Sequence, residues 1–351
     1  MKIITIPLSI LFRIIVYFRN MFYNHGLFKI KTLSCPVISV GNLSAGGTGK
    51  TPFVELVADY LLNKGKFIVI VLKGYKREHD DIKVVELGYE NTRKHLNSEN
   101  FGDEAFLFLE NLENKNGKGL IVVGDDKSKA AKFANAKFKP EIIIVDDGFQ
   151  HRKLGRDLDI VIIDGNEGPH LIPAGQMREP FKNRTRADLI VANEKFDGLK
   201  MIGHIGHIPS VICNYELISF INHKKEPIDV NGKTALAFCG IGDPDSFTLL
   251  LDENGVKVTR FVRFKDHHNF ILRDIEKIID AYKEDKADII VTSQKDIVRL
   301  KNSEIVLESK SGNLYKQLLF NYPLYYPKIK MQIKHNPETL YEQLDKIAVL
   351  V

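Results

Sequence analysis

The sequence predicts an α/β protein: a parallel sheet with helices on both faces, followed by a smaller α/β second domain. Three observations predict it. Short apolar runs alternate with amphipathic patterns, one run leads into a glycine-rich turn and a helix, and another ends in two adjacent acids. Parallel neighbours need a crossover, which such alternation supplies. With 351 residues and about 150 residues per domain, two domains are expected. A chain of this size buries enough surface to need no disulfide or metal staple.

The first element is the apolar stretch from Ile3 to Phe22. Leu8, Leu11, Phe12, Ile15, Phe18 and Phe22 share one helical face, and Ser9, Arg13, Tyr17, Asn20 and Asn24 share another. Arg13 in mid-segment and the lack of about 18 uninterrupted apolar residues disfavour a spanning helix. No small-residue cleavage site follows, so a signal peptide is not expected. A helix docked on the protein's own core competes with one lying on a membrane surface, and the second is preferred. No acid occurs from Met1 to Val54, whereas Lys2, Arg13, Arg19, Lys29, Lys31 and Lys50 are basic. That asymmetry suits an anionic surface or a phosphorylated ligand.

Pro36 to Val40 reads as a buried strand, followed by a glycine-rich turn and a helix through Phe53, Leu56, Val57, Tyr60 and Leu61. This is the order of a phosphate-binding loop, in which backbone N–H groups cradle phosphates, a lysine reaches the β/γ oxygens and a hydroxyl binds Mg²⁺. Lys50 and Thr51 fill the last two roles, and Gly46, Gly47, Thr48 and Gly49 form the turn. Ser44 stands where the usual pattern has its first glycine. Ile142 to Val145 reads as a second buried strand, ending in Asp146 and Asp147 where a nucleotide-bound Mg²⁺ needs acids. Further strands are expected at Phe67 to Leu72, Leu120 to Val123, Leu158 to Ile163 and Leu189 to Ala192, so the fold is of P-loop NTPase type.

Asp103 and Glu104 open a helix, either as first-turn acids or as a carboxylate that accepts a proton from an attacking hydroxyl. Arg178 and Glu179 lie between structure breakers, which a bound phosphate or metal would explain. Asp266-His267-His268 reads as a cap with surface histidines, a metal cluster or a supported general base. The net charge of +5, from 50 basic and 45 acidic side chains, is too weak to argue for nucleic acid. Cys35, Cys213 and Cys239 have no C-x-x-C spacing, so neither a disulfide framework nor a zinc site is suggested and a reducing cytosol is expected.

Taken together these motifs resemble the tetraacyldisaccharide 4′-kinase family of lipid A biosynthesis. The resemblance rests on Val40 to Pro52, Lys73-Gly-Tyr75, Gly102-Asp-Glu104, Asp146-Asp-Gly-Phe-Gln-His-Arg152, Pro173-Ala-Gly175, Arg178-Glu-Pro180, Gly240-Ile-Gly242, Asp266-His-His268 and Thr292-Ser-Gln-Lys-Asp296, which span nearly the whole chain. It implies a kinase moving the γ-phosphate of ATP, with Mg²⁺, to the 4′-hydroxyl of an acylated glucosamine disaccharide 1-phosphate lipid, giving lipid IVA. It implies a monomer at the cytoplasmic face of the bacterial inner membrane, peripheral or monotopic, with no nucleic-acid partner. It further implies that Lys50 and Thr51 serve the nucleotide, that Thr51, Asp146, Asp147 and Glu179 surround Mg²⁺, that Asp103 with His267 activates the hydroxyl, and that Arg77, Gln150 and Arg178 contact substrate. Lys73, Lys127 and Gln294 depart from the family pattern, and lysine lacks the arginine fork.

The expected organisation is an amphipathic helix over 1–25, a kinase domain over 26–210, a ribbon of 211–231 with 322–334, a second domain over 232–321 and a terminal helix over 335–351. A membrane-associated switch ATPase is the main rival. It carries a lysine at the position of Ala45 and lacks an Asp-His-His segment, so both features count against it. A metal-dependent phosphoesterase would leave Lys50 without a task, and a lipid-binding protein without catalysis would need neither Asp103 nor the loop.

Overall fold

A computed structural model describes residues 2–74, 81–88, 101–112, 117–165, 167–194, 206–302 and 312–350. In chain order the elements are α1 (Lys2–Asn24), β1 (Val37–Asn42), α2 (Lys50–Asn63), β2 (Ile68–Leu72), β3 (Lys83–Glu86), α3 (Asp103–Asn111), β4 (Gly119–Val123), α4 (Lys127–Phe138), β5 (Ile142–Asp146), β6 (Leu158–Ile163) and β7 (Leu189–Asn193). After them come β8 (Ser210–Ile221), β9 (Pro227–Ile228), β10 (Thr234–Cys239), α5 (Pro244–Glu253), β11 (Lys257–Arg263), α6 (Leu272–Asp285), β12 (Ile289–Thr292), α7 (Gln294–Asn302), α8 (Gly312–Phe320), β13 (Leu324–His335) and α9 (Pro337–Val349).

All strands belong to one sheet, in the order β11-β10-β12-β13-β8-β7-β6-β1-β5-β2-β4-β3, with β9 beside β8. The strands β1, β2, β5, β6 and β7 are buried along their whole length, as parallel strands covered on both faces must be. Their apolar side chains pack on one face against α2, where Phe53, Val54, Val57, Ala58, Leu61 and Leu62 recur at helical spacing, and on the other against Ala130, Ala131 and Ala134 of α4. The smaller segment, β10, β11 and β12, packs Phe238, Ile275, Ile278 and Tyr315 on one face and Phe247 with Leu251 on the other.

The long strands β8 and β13 determine where chemistry can gather. They pair antiparallel from Tyr326↔Ile221 down to His335↔Ile212. The end of β7 lies opposite the start of β8, through Asn193↔Cys213, while β12 pairs with the start of β13, through Val291↔Tyr325. The larger segment therefore ends its strands facing the smaller one, and the stretch of β8 from Cys213 to Ile221 spans the gap between two carboxyl edges. Ligands of α/β sheets bind at those edges, so the fold aims two candidate edges into one cleft.

Helix α1 attaches by the side that carries its polar residues. Ser9, Val16, Asn20 and Tyr23 are buried, Ser9 Oγ donates to Leu171 O at 2.8 Å and Arg13 Nη2 to Pro169 O at 3.0 Å. Leu8, Leu11, Ile15 and Phe18 of the apolar face are about half exposed, between 47% and 56%. A helix docked on a core in the ordinary way would show the reverse. Phe12 and Phe22 are partly buried on that face, Phe12 against the core cluster that holds Leu171 and Ala192 and Phe22 against Phe28. At the other terminus α9 returns to α2, burying Leu340, Leu344 and Ile347 and stacking Tyr341 on Tyr60.

Candidate active site

The phosphate loop is held open by side chains around it. Asn42, the last residue of β1, donates from Nδ2 to Thr48 Oγ1 at 2.9 Å, and Asn193, the last of β7, donates to Thr48 O at 2.9 Å. Gly49 precedes α2 with φ 94°, and a Cβ there would lie 2.5 Å from Asn193 Nδ2 and 2.6 Å from Tyr215 Oη. Only glycine meets both the left-handed backbone and that approach. The segment 173–180 zips along the start of the loop: Ala45 N donates to Gln176 O at 2.6 Å and Arg178 N to Leu43 O at 2.7 Å. Gln150, expected at the substrate, donates to Asn42 O at 2.8 Å and so braces the loop strand.

Beneath the loop lies a charge cluster at the carboxyl end of β5. Asp147, in the left-handed region at φ 51°, receives Arg178 Nη1 at 2.8 and 3.0 Å and faces Lys50 Nζ at 3.7 Å and Lys127 Nζ at 3.8 Å. Burial would raise its carboxyl, but Lys127, Lys50 and Arg178 outweigh it and hold Asp147 far below the ordinary range. Lys127 is 1% exposed and donates to Asp147 O at 2.9 Å, while burial pushes its ammonium down. Asp146 goes the other way. Burial raises it, Glu104 and Asp147 add to the rise, and Lys127 and Lys50 offset it only in part.

Among the described residues no group of three or more His, Cys, Asp or Glu is arranged to hold a metal ion by itself. Asp146 nevertheless suits one: its Oδ1 is buried with no hydrogen-bond partner, a costly condition that a cation would relieve. Thr51 opens α2 and is 8% exposed. Glu179, expected beside Mg²⁺, has its carboxylate engaged within the protein. It is wholly buried and accepts from Arg19 at 2.9 Å, Asn20 at 2.9 Å, Asn183 at 2.7 Å and Arg186 at 2.8 Å. Two guanidiniums, Arg19 and Arg186, balance its charge, and through Arg19 and Asn20 it ties α1 to the segment that carries it. Arg178, expected at the substrate, pairs with Asp147, and Arg77 lies outside the described residues.

Across the cleft, Asp103 and His267 approach each other at 3.8 Å between Oδ2 and Nδ1. Asp103 opens α3 behind Gly102, and His267 follows β11 with φ 55°, a conformation uncommon outside glycine and retained where surroundings impose it. Arg299, on α7, contacts both: Nε donates to Asp103 Oδ2 at 2.7 Å and Nη2 lies 3.2 Å from His267 Nδ1. Burial raises the Asp103 carboxyl, yet His267 and Arg299 more than offset this, leaving it below the ordinary range. His268 has a different occupation, bonded through Nε2 to Asp274 Oδ2 at 2.8 Å and stacked on Phe264.

Sequence reasoning missed Arg299, Asn42 and Asn193. Arg299 follows Asp296 by one helical turn, so an intrahelical pair was readable, but its reach to a residue 196 positions away was not. The asparagines sit at strand ends, where a polar residue after an apolar run also fits an ordinary turn.

A family model described as tetraacyldisaccharide-1-P 4′-kinase matches residues 1–348. The tetraacyldisaccharide 4′-kinase of Koribacter versatilis is 36% identical over 298 residues, covering 84% of this chain and 88% of that protein. The enzyme of that name from Aquifex aeolicus is 35% identical over 305 residues, covering 86% and 90%. A crystal structure of LpxK from Aquifex aeolicus in complex with ATP superposes with a TM-score of 0.73 at 31% identity, covering 97% of each chain. The chain belongs to the tetraacyldisaccharide-1-P 4′-kinase family.

Proposed function

We infer that the chain transfers the γ-phosphate of ATP to the 4′-hydroxyl of tetraacyldisaccharide 1-phosphate, producing lipid IVA for lipid A. The observation that carries the reading of the site is the cleft itself. A phosphate loop with Lys50, Lys127 and Arg178 lies on one carboxyl edge, and Asp103 with His267 stands where the two edges meet. Phosphoryl transfer asks a protein mainly for positioning and for cations around the moving charge.

In this reading the backbone of Gly46 to Gly49 cradles the phosphates, and Lys50 leaves Asp147 for the β/γ oxygens when ATP enters. Lys127 and Arg178 keep Asp147 ionised meanwhile. Thr51 and Asp146 would hold Mg²⁺, which would neutralise charge on the phosphates. Asp103 accepts the proton of the 4′-hydroxyl as that oxygen bonds to the γ-phosphorus, the bond to the β-phosphate oxygen breaks and ADP departs. The two sheet segments act as two domains that meet over the nucleotide, excluding water. By length and composition Thr5–Asn24 is apolar enough to cross a membrane, but a helix fixed along its polar side supports a surface position instead.

Two assays test the reading. Labelled γ-phosphate should pass to a detergent-dispersed disaccharide 1-phosphate lipid, and Lys50→Ala and Asp103→Ala should each slow labelling of the lipid by about 100-fold or more. Hydrolysis of ATP without labelled lipid, indifferent to Asp103→Ala, would favour a switch ATPase. For the membrane, Leu11→Glu with Ile15→Glu should reduce sedimentation with anionic vesicles while ATP affinity holds; unchanged sedimentation would remove α1 as the anchor.

A further inference from the structure

Arg299 is nearly buried, with a side chain 5% exposed, and the reaction as described gives it no task. Its guanidinium is fixed on one side and reaches out on the other. Nη1 donates to Gly240 O at 2.6 Å and to Asp296 Oδ1 at 2.8 Å. Asp296 is itself wholly buried and held, accepting from Gly240 N at 3.0 Å and Ser293 Oγ at 2.6 Å. Nε and Nη2 are thereby presented to Asp103 Oδ2 and His267 Nδ1. A guanidinium has donors only, so its bond to Nδ1 requires that nitrogen to supply the lone pair. The proton of a neutral His267 ring then sits on Nε2. Asp103 and His267 face each other at 3.8 Å and are held by one cation in common.

We propose that Arg299 is the positioning residue of the transfer centre, tying Asp103 of the larger segment to His267 of the smaller one and fixing the imidazole with its proton on Nε2. The inference rests on the reading of Asp103 as the base. It assigns the hydroxyl proton to Asp103 alone, because the Nδ1 lone pair is committed to Arg299. Nε2 lies 4.0 Å from Asp266 Oδ2, so the N–H on that nitrogen has a carboxylate beside it. The charged groups facing Asp103 from the elements packed on it are Arg299 from α7 and His267, with Asp266 next to His267 and Asp296 behind Arg299.

The test is the pH dependence of kcat, with KM for ATP and for the acylated disaccharide 1-phosphate, in Arg299→Met, Arg299→Lys and Asp103→Asn. Without the guanidinium the desolvated Asp103 protonates more readily, so the acid limb of the kcat profile moves to higher pH. Arg299→Met should show that shift with kcat lowered about 10- to 100-fold and each KM within about threefold, a split that loss of an orienting group predicts. Arg299→Lys restores the charge but not the fork; its acid limb should return toward wild type while kcat stays reduced. A wild-type kcat and acid limb in folded Arg299→Met would overturn the proposal. Should that variant fail to fold, wild-type kcat for Arg299→Lys across the profile overturns it equally. Asp103→Asn separates the two readings: full activity there removes the base itself, whereas its inactivity beside an unshifted Arg299→Met profile removes only the role of Arg299.

Discussion

The phosphate cradle and the seam between the two sheet segments use the same chemistry, buried cations against carboxylates, over very different chain distances. The cradle stands on the ends of neighbouring strands. Lys50 follows β1, Asp147 follows β5, and Lys127 opens a helix beside them, so their meeting is guaranteed once the sheet forms. The seam joins α3 to α7 through Asp103 with Arg299, Glu110 with Lys301 at 2.8 Å and Asn111 with Gln294 at 2.8 Å. Lys328 of β13 also donates to Asn111, which donates onward to Glu55 of α2 at 2.7 Å. The contacts between α3 and α7 exist only when the segments sit at this separation. The cradle is therefore built for binding in any arrangement of the segments, and the seam reports whether they have closed.

The comparison can be broken at its most buried point. Asp296→Ala leaves Arg299 without its anchoring carboxylate, and an uncompensated buried charge costs about 3–5 kcal/mol. Chemical denaturation should show that loss, and a change under about 1 kcal/mol would mean the seam is held by other contacts. Lys50→Ala should do the opposite, lowering kcat by about 10²- to 10³-fold as loss of a preorganised charge does, with the denaturation midpoint nearly kept because Lys127 and Arg178 still balance Asp147.

Glu55 offers a pH handle on the same seam. Burial pushes its carboxyl up to about 7, against Asn111, Lys328 and Lys295. A carboxyl raised in the folded state favours folding below its unfolded value and loses that advantage as pH rises from about 4.5 to about 7. Glu55→Gln should therefore flatten stability across that window and be more stable above it, by on the order of 2 kcal/mol; a parallel pH curve for the variant would contradict the assignment. The smallest effect is expected at His268→Ala, where loss of the bond to Asp274 costs about 1 kcal/mol with kcat nearly unchanged. A large fall in kcat there would move His268 from support into the reaction.

Much of the fold was legible because buried parallel strands leave continuous apolar runs: β1, β2, β4, β5, β6 and β7 all lie on runs read from the sequence. β11 was not, since its Lys257-Val-Thr-Arg-Phe-Val-Arg263 is a mostly exposed strand at the end of the sheet with no such run. At the site, Lys50, Asp147 and Asp103 were legible as motif positions. The partners of Glu179 were not legible, because a sequence records an acid beside an arginine but not the direction each faces. Arg178 turns to Asp147 while Glu179 turns to Arg19 and Asn20 of α1.

By itself the sequence determined the elements and the local chemistry: which runs become strands, where glycine opens the loop, and which cation and hydroxyl begin α2. Those depend on residues within one turn or one strand of each other, so periodicity and spacing suffice. The tertiary structure alone decided that β8 and β13 turn two carboxyl edges toward one another, that Arg299 stands between Asp103 and His267, and that α1 shows its apolar side outward. These depend on contacts between residues more than a hundred positions apart, whose energies come from burial and charge pairing that no local pattern encodes.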